Sequence, residues 1–236
     1  MIKSSGALLA LLAICGAAQA TTLYPLERSC PVGGERYQSF GIGSTSRFGL
    51  RLDLRPVGPA AFLPMIECPN GFVVFKDDSK FTPAEIAELT PVVASKAYQD
   101  LRRTEPIAAR VVLLLRALDV DEVGLRAELL NVAFQAEDTN DQAVRQKYLA
   151  LAASAYVAFL AAHDKADLDW WVARLRVAEI ARQQSRFDEA IQLVNGLNGV
   201  APPGDGFLGR VANQIRARAQ ARDAVPQAYQ DIDEKH

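Results

Sequence analysis

Two tight turns of one design, Cys30-Pro-Val-Gly33-Gly34 and Cys68-Pro-Asn-Gly71-Phe72, constrain this chain more than any other part of its sequence. A Cys-Pro-x-Cys-Gly turn carries two thiolates on one bend, and two such turns complete a tetrahedral zinc site. Here each turn keeps its first cysteine and its glycines and lacks its second. Two thiolates cannot close a tetrahedral site, whereas two cysteines in an oxidising compartment can close a disulfide.

The compartment follows from the first residues. Lys3 gives a short positive start, Ala7 to Ala17 is apolar or small throughout, and Ala18-Gln19-Ala20 has the small-x-small pattern of a signal-peptidase site. The expectation is a leader over 1–20, cleavage near Ala20, a mature chain from Thr21, and a periplasmic or secreted protein. The apolar run is shorter than the roughly 18 to 20 residues that span a bilayer, so no integral membrane segment is expected in the mature chain. The alternative is a lipoprotein acylated at Cys15, but Ile14 stands where a small residue is expected.

Losing the leader removes Cys15 from a total of three cysteines, leaving Cys30 and Cys68. An even count in an exported chain reads as a disulfide framework, and Cys30–Cys68 is the one intramolecular pairing. Two free thiols, or bridges between chains, are the alternatives. A metal site would need two further ligands, and the histidines, His163 and His236, lie far along the chain. No metal and no cofactor are expected. A formal net charge of −2 argues against a nucleic-acid partner, and a 50% hydrophobic composition suits a globular fold.

Residues 21–80 are rich in Gly, Pro and Ser, with short apolar pieces. Phe48, Leu50, Leu52 and Leu54 alternate at period two, which predicts a half-buried strand over Arg47 to Leu54, and Phe72 to Phe75 reads as a second. These form a small disulfide-stapled ribbon module with its two turns facing each other. Residues 81–225 read as helix. Thr82-Pro83-Ala84-Glu85 is a capping box, and Thr90-Pro91 predicts a break near residue 90. Further helices are expected over Pro106–Leu118, Asp121–Ala136, Asp141–Ala162, Leu168–Gln184 and Phe187–Leu197, with one from about Asp205. Residues 226–236 read as a flexible tail. Tyr148 to Ala162 is almost wholly apolar and reads as a central helix buried on most sides.

One hairpin is more specific. Phe187, Ala190 and the later Pro202 sit where the second helix of a tetratricopeptide repeat carries its aromatic, alanine and closing proline, with Trp171, Leu175 and Ala178 as the facing wall. No second copy recurs at that period. The fold class expected is mainly α: antiparallel helical hairpins of tetratricopeptide-like type behind the β-ribbon module.

Taken together, Cys30-Pro-Val-Gly-Gly, the run Ser46 to Gly58, Cys68-Pro-Asn-Gly-Phe72 and Lys76-Asp77-Asp78 resemble an uncharacterised bacterial family. Its members pair a zinc-ribbon-like N-terminal segment with tetratricopeptide-like helices. In that family each turn has a second cysteine. Gly33 replaces one here, and the other is deleted between Asn70 and Gly71, a departure that fits an exported form in which disulfide replaces metal. The resemblance implies no activity.

Catalytic patterns are thin. Gly41-Ile-Gly43-Ser44-Thr45 has the flavour of a phosphate loop, but no lysine follows, and a flexible turn in the ribbon explains it. Asp77-Asp78 lacks a partner at useful spacing. Arg210, Arg216, Arg218 and Arg222 make the last helix basic on part of its surface. The reading is an exported, non-enzymatic binding or scaffold protein that presents its helices to a protein or peptide partner. The alternative is an envelope enzyme or redox protein acting through the ribbon loops.

Overall fold

A computed structural model describes residues 21–59, 65–77, 80–165, 167–197 and 206–230. The expected leader with Cys15, together with Pro64, Asp78, Pro202, Asp205 and residues 231–236, lies outside them. Eight helices make the described chain mainly helical, 55% of it, with three two-stranded antiparallel sheets toward its start. The strands are β1 (Thr21–Ser29), β2 (Arg36–Thr45), β3 (Gly49–Leu50), β4 (Pro56–Val57), β5 (Ile66–Glu67) and β6 (Val73–Val74), paired β1–β2, β3–β4 and β5–β6. The helices are α1 (Pro83–Ala94), α2 (Lys96–Thr104), α3 (Ile107–Ala117), α4 (Arg126–Asp138), α5 (Gln142–Ala162), α6 (Leu168–Gln183), α7 (Phe187–Asn195) and α8 (Phe207–Gln220).

The two cysteine turns close the β1–β2 and β5–β6 hairpins. Cys30 N–H donates to Glu35 O at 2.9 Å, and Cys68 N–H donates to Phe72 O at 2.8 Å. Gly33 and Gly71 have φ of +96° and +91°, a region closed to most side chains, which is why glycine stands at both positions. The turns face each other and Cys30 is bonded to Cys68. Asn70, which sequence reasoning passed over, ties them further: its Nδ2 donates to Val32 O at 2.6 Å.

This ribbon does not own its core. Cys30, Val32, Cys68 and Phe72 share one cluster with Phe81, Leu89, Tyr98 and Leu114, across the expected boundary near residue 80. A glycine-rich hairpin pair buries too little apolar surface to stand alone, so it packs on α1, α2 and α3. A second cluster lies among α3, α4, α5 and α6, and a third joins Leu52 to α6, α7 and α8.

Three expectations are corrected. The predicted strand Arg47–Leu54 shrinks to Gly49–Leu50: Phe48 is 71% exposed, Leu52 is buried, and Leu54 reverses the chain at φ +65°. The period-two pattern reflects one anchoring leucine in a loop. The break expected near residue 90 falls at Ser95, because α1 continues through Pro91. The carbonyl left without a donor belongs to Ala87, an exposed residue, so the proline leaves no buried polar group unpaired there. Finally, the segment after Pro226 is fastened as far as it is described: Leu52 N–H donates to Gln227 O at 3.0 Å, and Tyr229 N–H donates to Leu50 O at 2.8 Å. The free edge of β3 supplies the partners.

The capping box at Thr82 forms as expected, with Glu85 N–H bonded to Thr82 Oγ1 at 3.2 Å and Thr82 N–H to Glu85 Oε2 at 2.8 Å. The hydrogen bond from Lys76 and that from Thr82 hold the Glu85 carboxyl at about 2. Four helices end alike. Asp119, Asn140, Ser185 and Arg222 adopt left-handed φ between +52° and +61°, and the next residue reaches back across the last turn, as Asp141 N–H does to Ala136 O at 2.8 Å. These are Schellman endings built without glycine.

Candidate functional site

Consecutive helices α3 to α8 pack side by side, so α4, α5 and α6 present two ends. At one end the chain covers itself. The loop Arg51–Arg55 lies against the α4–α5 and α6–α7 turns through a charged network. Arg51 pairs with Asp53 at 2.6 Å and with Glu137, and Arg145 Nε reaches Glu137 at 3.1 Å. Arg145 also donates to Gln183 Oε1 at 2.5 Å, whose Nε2 donates to Glu179 at 3.0 Å and to Asp53 at 3.3 Å. Arg55 meets Asp138 at 2.5 Å. Burial pushes the Glu137 carboxyl up, but the hydrogen bond from Arg51 and the charges of Arg51 and Arg145 outweigh it and hold it below the usual range. Beneath them Arg182, wholly buried, pairs with Glu179 at 2.6 Å and donates to the carbonyls of Val225, at 2.9 Å, and Asp223. Burial raises the Glu179 carboxyl. These pairs hold the ribbon loop and the segment around Asp223 and Val225 in place, beside a small cavity of about 210 Å³ lined by Arg51, Arg55, Glu137 and Asp138.

The other end is open. There Asp121, Val123, Gly124, Arg126, Phe159, His163, Asp167, Leu168 and Asp169 line a cleft of about 660 Å³, within the usual range for ligand sites. Asp121 Oδ1 accepts from Gly124 N–H at 2.7 Å in the turn before α4. Phe159 is buried from the end of α5. The Arg126 guanidinium lies 4.1 Å from its ring centre, and the His163 ring stacks on it at 3.8 Å. Two groups that close cannot share one face, so both faces of the ring are taken. His163 Nδ1 contacts Phe159 O at 2.8 Å, and a carbonyl only accepts, so the proton sits on Nδ1. Asp167 and Asp169 sit at the start of α6, where the helix dipole favours negative charge. Asp167 makes no capping bond. Among the described residues no cluster of three or more His, Cys, Asp or Glu is close enough to hold a metal ion.

A second open surface is the outer side of α5. The expectation that Tyr148 to Ala162 is buried on most sides is corrected: Ala150, Leu151, Ser154, Val157, Ala158 and Ala161 are all exposed, Val157 by 53%. The core-facing stripe is Tyr148, Leu149, Ala152, Ala155, Tyr156 and Phe159, with Arg145 buried ahead of it. Uniform apolarity in the sequence therefore hides a helix with one unpartnered face.

The five residues expected to pack the α6–α7 hairpin are all buried, but in two places. Trp171, Leu175 and Ala178 lie with Val194, Leu197, Val211 and Ile215, whereas Phe187 and Ala190 lie with Ala181 and Ala219. Helix α8 contributes to both clusters. Gly41–Thr45 is neither a phosphate loop nor a flexible turn: it runs in β2, Thr45 opposite Thr21. Asp77 lines a separate cleft with Arg28 and Lys76, so the two loop candidates do not converge. The basic residues of the last helix are engaged by their own chain: Arg210 Nε donates to Tyr229 Oη at 3.0 Å, Arg216 to Asn213 at 3.2 Å, Arg218 meets Asp223 at 3.4 Å, and Arg222 lies over Phe187 at 5.7 Å. Sequence reasoning missed the acidic cleft. The signal for it is Asp121, Asp167 and Asp169, which flank two different interhelical connections.

Compared with family models, curated proteins and solved structures, the chain matches none. No helix among the described residues is long and apolar enough to cross a membrane. The Cys30–Cys68 disulfide is compatible with an oxidising, exported location.

Proposed function

We propose that this is an exported binding protein whose helices, arranged as tetratricopeptide-like hairpins, present a docking surface to a protein or peptide partner. The observation that carries the reading is the bare outer face of α5, where Leu151 and Val157 stand in solvent among small residues. Isolated exposed apolar residues are ordinary, but here Leu151 and Val157 border a strip of Ala150, Ser154, Ala158 and Ala161, a continuous small and apolar face of the kind that marks an interaction surface. The ribbon, stapled by its disulfide in place of the metal of the family it resembles, holds α1 to α3 and leaves this face clear.

The test is site-specific photo-crosslinking in cells that export the chain, with benzoylphenylalanine at Val157 and, as control, at exposed Glu88 on α1. A discrete adduct at Val157, absent at Glu88 and abolished by Leu151→Glu, is the expected result. No adduct, or the same adducts at both positions, would sink the proposal.

A further inference from the structure

We propose that the cleft at the open end of α4, α5 and α6 takes a lysine-bearing segment of the partner. The inference rests on the binding reading above and adds the chemistry of what is bound. The apolar lining of the cleft is Val123, Leu168 and the uncovered edge of Phe159. Its charged lining is Asp121, Asp167 and Asp169 against one cation, Arg126, which is laid on Phe159 with Nη1 donating to Val123 O at 2.8 Å. The rim carboxylates come from two different connections, the turn before α4 and the start of α6, so they are not one helix terminus making its own dipole contacts. They are also too dispersed for a metal ion, since no ligating cluster exists among the described residues. Dispersed negative charge over an apolar floor complements an aliphatic stem ending in a cation. Lysine has that build, with a buried methylene stem and a compact ammonium. An arginine or aromatic group would draw its advantage from stacking, and both faces of Phe159 are already covered by Arg126 and His163. Leu168, 56% exposed at the lip, is the apolar surface left for the stem.

The probe is a capped Lys-Ala-Lys-Ala-Lys peptide, titrated into the full mature chain and followed by amide NMR shifts, with glutamate and arginine counterparts. Expected are shifts confined to residues around Gly124, His163 and Leu168. Binding should weaken about tenfold in Asp167→Asn/Asp169→Asn and again between about 50 and 300 mM salt, as for solvent-exposed charge pairs. The glutamate peptide should not bind, the arginine peptide should bind more weakly, and Glu88→Gln should bind like the parent. Leu168→Ala tests the floor without touching charge, should the double variant misfold. Equal binding by the glutamate peptide, shifts spread over the whole surface, unchanged affinity in the aspartate variants, or no binding would each overturn the proposal. Adducts at Val157 together with charge-independent peptide binding would remove lysine recognition and leave the docking face intact. Lysine binding without adducts would do the reverse.

Discussion

The phenol hydroxyl of Tyr98 donates to the carbonyl of Gly71 at 2.9 Å, joining the second cysteine turn to α2. The same oxygen accepts from Val73 N–H at 3.2 Å, while Arg110 Nη1 also reaches Gly71 O at 2.8 Å. Removing the hydroxyl thus leaves the carbonyl satisfied but strands a buried N–H. Tyr98→Phe is expected to destabilise by about 1–3 kcal/mol, the cost of an unpaired buried polar group. Urea unfolding gives the figure; a change within error would mean that the tyrosine contributes packing alone.

The disulfide closes a separation of 38 residues. Loop-closure entropy over that length corresponds to about 4 kcal/mol, a model-dependent figure. Cys30→Ser/Cys68→Ser should lower the unfolding midpoint accordingly, and amide exchange near Phe72 and Tyr98 should accelerate first. Intact mass of the exported chain, with thiol alkylation before and after reduction, checks the bond itself: label taken up without reduction would contradict it.

How much of this could be read in advance depends on the range of the cause. The Thr82 capping box, the glycines of the two turns and the helix starts at Pro83, Gln142, Leu168 and Phe187 are set by neighbouring residues, and the sequence displays them. Leu52 defeats the period-two rule because its burial is decided by Trp171 and Ile215, far along the chain. Val157 defeats the apolarity rule because no described residue covers it, and composition within a helix does not say which sides have neighbours. The cleft carboxylates are remote in sequence from one another and meet only through helix packing.

The Glu137 carboxyl, held below its ordinary range by Arg51 and Arg145, makes stability depend on pH. A depressed folded pKa contributes stability that is complete above the unfolded value, about 4.3, and lost as pH falls through the folded one. Glu137→Gln should therefore cost about 1–3 kcal/mol at neutral pH, the range for charge-assisted hydrogen bonds. The gap should narrow as pH falls below the unfolded value and the unfolded chain takes up its proton first. Thermal melts across that range decide it; a gap constant in pH would assign the contribution to shape.

Ser185 carries a left-handed φ of +61° at the end of α6, is exposed, and has a side chain that caps nothing. Glycine adopts that conformation without the Cβ penalty, so Ser185→Gly should stabilise by about 0.5–1 kcal/mol. A loss of stability in chemical denaturation would show that the hydroxyl has a use not visible in the packing.

Arg182→Met leaves the buried Glu179 without its cation and frees the carbonyls of Asp223 and Val225. Breaking one side of a buried pair costs about 3–5 kcal/mol. Hydrogen exchange should accelerate at Leu52 and Tyr229, the residues whose N–H groups close the pairing beyond it. Protection there equal to the parent's would uncouple the last residues from Arg182.

The pairing of Leu50 and Leu52 with Tyr229 and Gln227 also orders events in time. A chain that emerges N-terminus first delivers the β3 edge some 175 residues before its partner, whatever pore or tunnel it leaves. Until residues 223 to 229 have come through, Arg182 lacks the carbonyls of Asp223 and Val225, and the edge at Leu50 and Leu52 stays open to any passing strand. Completion is then a single late event, in which residues 223 to 229 lock a loop that has waited since Leu50 and Leu52 were made.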